Sequence, residues 1–144
     1  MGRKWDLISN EFEKRANNIF GLKIPDDITA FLTITGRYPY SIPNNFFYVS
    51  VKRQNVNSIV MHELFHFYTW YKFGGDLKKL GGERYNDFKE ALTVLLDVEF
   101  TDLMNGEVDA GYERHREFRD FIKNEWQKEK NLEKIWQLVK KNFK

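Results

Sequence analysis

NSIVMHELFHFYTW, residues 57–70, carries a glutamate and two histidines inside a run of otherwise uncharged and mostly bulky side chains. From about Asn55 to Phe73 neither proline nor glycine interrupts the chain; Asn55 or Asn57 is a candidate N-cap, and Gly74-Gly75 is a natural stop. The stretch therefore predicts a helix that is apolar nearly all round, the pattern of a helix buried at the centre of its fold. Charged and imidazole groups are expensive to bury without partners, so His62, Glu63 and His66 need a reason to be there. The chain has three histidines, and two of them stand four apart here.

At about 100° per residue, two helical residues four apart differ in direction by only about 40°. His62 and His66 thus point the same way, one turn apart, and can grip one metal ion while Glu63 projects beside them. The plain alternative is two satisfied histidines and a surface glutamate on an ordinary helix. A solvent face is not expected to be flanked by Val60, Met61, Leu64, Phe65, Phe67 and Tyr68.

Working outward, Trp5, Ile8, Phe12 and Ile19 recur at near-helical spacing, which predicts an amphipathic helix over about residues 3–20, stopped by Gly21. In ITAFLTIT, Ile28, Ala30, Leu32 and Ile34 alternate with Thr29, Phe31, Thr33 and Thr35, the period of a strand. GRYPYSIPNN reads as a turn or loop, and FFYVSV as a second strand, so the pair is expected to form an antiparallel hairpin with a long connection. Downstream of the central helix, GERYNDFKEALTVLLDVEFTDLMNG predicts a helix ending at Asn105-Gly106, with Phe88, Ala91, Leu92, Leu95 and Leu96 as its core face. Its other stripe is Glu83, Asn86, Glu90, Thr93 and Asp97. From Tyr112 onward, apolar residues at Phe118, Ile122, Trp126, Leu132, Ile135, Trp136, Val139 and Phe143 predict one long helix or two, with QKEKN as the break. The expected class is α+β: a small antiparallel sheet and a buried central helix, packed by about four further helices.

Composition bounds the function. At 144 residues the chain is expected to form one domain spanning 1–144. With 42% hydrophobic and 17% aromatic residues it has ample surface to bury against the entropy of ordering. Its 23 basic and 21 acidic residues give a net charge of +2, no field that points to nucleic acid or an anionic membrane. The C-terminal lysines are interleaved with glutamates and aromatics rather than gathered in a basic patch, so no nucleic-acid partner is expected. There is no cysteine, so any metal must be held by nitrogen and oxygen. No stretch approaches the roughly 18 apolar residues of a membrane span and the start lacks the apolar core of a signal peptide, so the expectation is a cytoplasmic protein without a membrane partner.

HELFH resembles the active-site helix of the zincin metallopeptidases. The resemblance implies a zinc ion on His62, His66 and a third protein ligand, with the fourth position left to a water whose pKa falls toward about 7 and whose proton Glu63 takes. The metzincin pattern would need glycine at Thr69 and histidine at Lys72, and the aspzincin glycine-threonine dipeptide is absent. What remains resembles the gluzincins, whose third ligand is a glutamate on a following helix. Glu90 fits, 24 positions after His66 on the next predicted helix; the stripe it belongs to could also simply face water, and Asp87, Glu83 and His115 are fallback ligands. Thermolysin-like members place an aspartate one turn after the glutamate to support a ligand histidine. Val94 stands there, so Asp97 or Thr93 would have to serve.

The resemblance covers roughly residues 45–120, and its short length is like that of the minimal gluzincins, or minigluzincins. It implies further that FFYVSV presents a sheet edge to an extended substrate, and that Tyr112 or His115 helps to stabilise the oxyanion. The implied function is a zinc-dependent endopeptidase acting on peptide or protein substrates. The competing reading is a non-catalytic or latent zincin-fold binding protein with an occluded zinc site. Restraint of a peptidase is expected from the basic C-terminal helical segment covering the cleft, or from self-association.

Overall fold

The computed structural model describes residues 2–35, 39–52 and 56–142; the candidate cap Asn55 and the apolar position Phe143 lie outside these. The fold is α+β, predominantly helical with one three-stranded sheet. The N-terminal amphipathic pattern folds as two pieces, α1 (Gly2–Asp6) and α2 (Ser9–Phe20). The break comes at Leu7, which is exposed, where the Ile8 amide donates to the Trp5 carbonyl at 3.0 Å. α2 stops at Gly21 as expected, at φ 69, a left-handed conformation that glycine adopts without a steric penalty.

The sheet corrects the expected hairpin. β1 (Thr29–Thr33), β2 (Tyr40–Ser41) and β3 (Phe46–Ser50) lie in the order β1-β3-β2. β1 runs parallel to β3, from Thr29 opposite Phe46 to Thr33 opposite Ser50, while β2 pairs antiparallel with Tyr40 opposite Phe47. The reason lies in the loop between the predicted strands. Pro43 and Asn45, the latter at φ 52, make a tight reversal closed by the Asn45 amide on the Ile42 carbonyl at 3.2 Å, and this gives the antiparallel side of β3 to β2. β1 is left with the other side. The sheet is therefore mixed, and β3 is its central strand rather than an edge. The alternation in β1 does not bury a face either: Phe31 and Leu32 are exposed.

α3 (Asn57–Phe73) follows, then a 3₁₀ turn, α4 (Leu77–Leu80), α5 (Gly82–Leu92), α6 (Val94–Glu99), α7 (Arg116–Lys128) and α8 (Leu132–Asn142). α3 is the central helix that its composition predicts. Phe47 and Val49 of β3 pack on its Val60 and Phe67, while Met61, Phe65 and Tyr68 belong to a larger core with α2 and α5–α8. Burial on both sides removes most of its apolar surface from water, at about 25 cal/mol per Å². Lys72 at its end donates to the Phe20 carbonyl at 2.7 Å, satisfying the last turn of α2.

The long glutamate helix is two helices. Thr93, fully buried, turns its hydroxyl back onto the Glu90 carbonyl at 2.8 Å, a local bond that competes with the helical ladder, and α5 gives way to α6 there. Phe88, Ala91, Leu92, Leu95 and Leu96 are nevertheless all in the core, as expected. The C-terminal break falls at residues 129–131, within QKEKN, and Trp136 of α8 lies between Phe73 and Phe88 at centroid distances of 4.6 and 4.7 Å. Among the described residues no helix is long and apolar enough to cross a membrane.

Candidate metal centre

α3 turns His62, Glu63 and His66 into a cleft of about 470 Å³, and α5 brings Glu90 to them across the helix–helix interface. Oε2 of Glu90 lies 3.5 Å from Nε2 of His62, and Oε1 lies 3.5 Å from Nε2 of His66. The two imidazole rings stand edge to face with centroids 4.5 Å apart. One carboxylate thus spans two ring nitrogens that one helical turn places side by side, as the spacing predicts. Ligand and acid atoms of His62, Glu63 and His66 also lie within 4.8 Å of one another.

These residues fit a zinc ion. Donors on a tetrahedral ion, bonded at about 2.0–2.2 Å, stand roughly 3.3–3.6 Å from each other, the separation that both Glu90–histidine pairs show. The donor set is nitrogen and oxygen, and Oε2 of Glu63 is buried without a hydrogen-bond partner among the described residues. An orphaned buried carboxylate oxygen costs on the order of 1–3 kcal/mol, which a ligand or water in the cleft would relieve.

The electrostatics separate the roles of the four groups. Burial lifts the Glu63 carboxyl to about 7, helped by the charge of Glu90 and opposed by His62. Burial also acts to raise Glu90, but its hydrogen bond to His62 and the charges of His66 and Lys89 outweigh that and hold it at about 2. His66, only 2% exposed, is pushed well below the ordinary histidine value by burial and by the charge of His62. Burial acts to lower His62 as well; hydrogen bonds to Asp109 and Glu90 overcome it and carry the ring to about 10.

Asp109 is the partner that the sequence does not reveal. It lies in the loop after α6, and its Oδ2 is 2.5 Å from Nδ1 of His62. Asp97 and Thr93, the residues expected to support the histidine, instead lie against Asp109: Oδ1 of Asp97 accepts its amide at 2.7 Å, and Thr93 Oγ1, whose proton is shared with the nearer Glu90 carbonyl, is 3.2 Å from its Oδ1. Arg119 of α7, 6% exposed, completes the anchor by donating to Thr93 Oγ1 at 2.8 Å, to Asp97 Oδ2 at 3.2 Å and to the Asp109 carbonyl. A ligand histidine whose second nitrogen is held by a carboxylate has its ring orientation and tautomer fixed.

The other candidates divide. Tyr112 lines the cleft, with its side chain mostly exposed. His115 does not: its ring is buried on the α5 side, with Nε2 2.8 Å from Oδ1 of Asp87, so these two fallback ligands serve each other. Glu83 is exposed and outside the cleft lining. Residues that the sequence reading misses are Asp109 and Arg119, together with Tyr40 and Lys89, which meet beside His66. A hint for Asp109 is the neighbouring Gly111, at φ +66, where an added Cβ would come within 2.7 Å of the Arg119 guanidinium. The remaining cleft wall is Ser58, Ile59, Glu107, Val108 and Ala110, with the Ser58 hydroxyl bonded to Glu107 at 2.6 Å. No family model, curated protein or solved structure matches the chain.

Proposed function

We infer that the protein is a zinc-dependent peptidase of the gluzincin type, like the minimal members of that group, and acts on peptide or protein substrates as an endopeptidase. The observation that carries this reading is the Glu90 carboxylate spanning the Nε2 atoms of His62 and His66, each at 3.5 Å, with Glu63 beside them and free of the pair. His62, His66 and Glu90 would hold the ion, which when bound supplies Lewis acidity toward a carbonyl oxygen and acidifies water.

Glu63 is the base. Its carboxyl, lifted by burial to about 7, is suited to take a proton from water near neutral pH and to return it. The water oxygen bonds to the scissile carbonyl carbon, the C–N bond breaks, and the proton held on Glu63 passes to the departing amine nitrogen. Asp109 keeps the His62 ring in place throughout. The sheet edge on the cleft side is β2, since Tyr40 lines the cleft, and a substrate main chain is proposed to run along that edge rather than along β3. The site of action belongs to the same proposal and is cytoplasmic, which fractionation of cells producing the full chain would check.

A second reading, a zincin-fold binding protein that holds zinc without turnover, is favoured by one observation: Lys89 Nζ lies 3.1 Å from Oε1 of Glu90 and competes for that carboxylate. Metal analysis and peptide hydrolysis on the unmutated protein, Glu63→Ala and Glu90→Ala separate the readings. A peptidase keeps zinc and loses hydrolysis in Glu63→Ala, and loses zinc in Glu90→Ala. Stoichiometric zinc with no hydrolysis across a peptide library would favour the binding protein. Restraint by α8 gains no support from its position, since Leu132, Ile135, Trp136 and Val139 are in the core and no α8 residue lines the cleft. Self-association remains the proposed restraint, with sedimentation as its test.

A further inference from the structure

Lys89 is 5% exposed and is neither a proposed metal ligand nor the proposed base, although it contacts the ligand Glu90. A buried ammonium is retained only where charges and hydrogen bonds compensate its lost hydration. Here Nζ donates to the Tyr40 hydroxyl at 2.8 Å, lies 3.1 Å from Oε1 of Glu90, and sits 4.9 Å from the Tyr40 ring centroid. Tyr40 itself is fixed from two sides. β2 sets its backbone opposite Phe47, and its ring lies against that of His66 with centroids 5.7 Å apart. Both the ring and the neighbouring His66 and Glu63 line the cleft.

A phenol that accepts a hydrogen bond from an ammonium keeps its own proton to donate, and the neighbouring cation polarises that O–H bond. Among the described residues the Tyr40 hydroxyl has no acceptor for that proton. The donor is therefore held at the cleft wall with its proton unused. Neither expected helper matches it. His115 is turned away onto Asp87, and Tyr112, 60% exposed, has no polar group fixing its hydroxyl among the described residues.

We propose that Tyr40 is a catalytic residue whose hydroxyl donates a hydrogen bond to the scissile carbonyl oxygen as negative charge develops there, and that Lys89 is the positioning residue that aims and polarises it. This rests on the peptidase reading. The proton stays on Tyr40 throughout, so the bonds made and broken are those of hydrolysis alone. The interaction strengthens only as charge develops, so it bears on kcat more than on KM.

The test uses the zinc-loaded full chain and its Tyr40→Phe, Lys89→Met, Lys89→Arg and Glu63→Ala variants. Zinc content, circular dichroism, peptide-hydrolysis kinetics and binding of a phosphinic pseudopeptide library are measured on each. The phosphinate oxygens copy the tetrahedral charge without turnover. Tyr40→Phe is expected to keep its zinc and its spectrum, hold KM within about 3-fold, and lose roughly 10²-fold or more in kcat. Its phosphinate affinity should fall in parallel. Lys89→Met should follow it, and Lys89→Arg should recover part of the loss. A Tyr40→Phe protein with unchanged kcat and phosphinate affinity, beside an inactive Glu63→Ala, would overturn this role and leave the peptidase reading standing. Loss of zinc or of folded structure in Tyr40→Phe would also overturn it, by making the residue structural. An unmutated zinc-loaded protein that neither hydrolyses peptides nor binds the phosphinates would overturn both.

Discussion

Nδ1 of His62 and Oδ2 of Asp109 lie 2.5 Å apart, which joins the central helix to a loop 47 positions further along the chain. That contact fixes one of the two histidines from behind, and the loop is in turn held by Thr93, Asp97 and Arg119. Replacing Asp109 by Asn removes the charge and keeps the shape. Zinc affinity is expected to fall by roughly 10- to 100-fold, measured by titration against a competing chelator. Unchanged affinity would mean that the carboxylate does not support the ligand.

The protonation of His62 sets the pH dependence. Its pKa rises from an ordinary 6.5 to about 10 in the folded metal-free protein, whereas His66 and Glu90 are shifted downward. As a zinc ligand His62 must give up its proton between about pH 7 and 10, so log affinity should climb by at least one per pH unit, ionisation of the bound water adding to that slope. A slope near zero across that window would exclude His62 as a ligand that is protonated in the metal-free protein.

The same shift has a stability consequence in the metal-free form. A histidine with a raised folded pKa contributes stability that is fully present below its unfolded value and is lost as pH rises through the folded value. Metal-free protein should therefore lose stability from about pH 7 to 10, by up to about 1.4 kcal/mol per unit. Urea melts across this range in the presence of a chelator check it, and His62→Gln should flatten the slope.

Gly111 lies at φ +66 against Arg119, and Arg119 holds the Asp109 carbonyl. Gly111→Ala introduces both backbone strain and a contact with that guanidinium, with a cost of about 1–3 kcal/mol in stability. Zinc affinity should drop with it although no ligand is altered. Unchanged urea melts and zinc titrations would show the loop to be independent of the site.

α8 is part of the core rather than a detachable cover. Trp136 packs at a tilt against Phe73 and Phe88 and donates its indole N–H to Asp76 at 2.9 Å. Trp136→Ala should cost about 3–5 kcal/mol, and a chain ending near Asn131 should unfold or melt far earlier rather than gain hydrolysis. A well-folded truncation with enhanced hydrolysis would restore α8 as the restraint.

How much of this is legible in sequence follows from how local the physics is. His62, Glu63 and His66 share a face because four residues make about one helical turn, and Phe88 to Leu96 reach the core by the same periodicity even though Thr93 breaks the helix. Glu90 is readable by resemblance, and its helix then carries it to the histidines. Strand pairing is different: the period of β1 marks a strand but says nothing of its partner, and the reversal at Pro43 and Asn45 hides a strand inside an apparent loop. Asp109, Tyr40 and Lys89 owe their positions to contacts 47 to 49 residues apart in sequence, which no local pattern encodes.

The most direct test of the metal centre is the zinc content of the full chain after metal-replete dialysis, set beside that of Glu90→Gln. About one tightly bound zinc per chain is expected in the unmutated protein, with an X-ray absorption spectrum of two imidazoles and further oxygen donors, and little or none in Glu90→Gln. An unmutated protein without stoichiometric zinc, or a Glu90→Gln protein that holds it as tightly, would contradict the assignment.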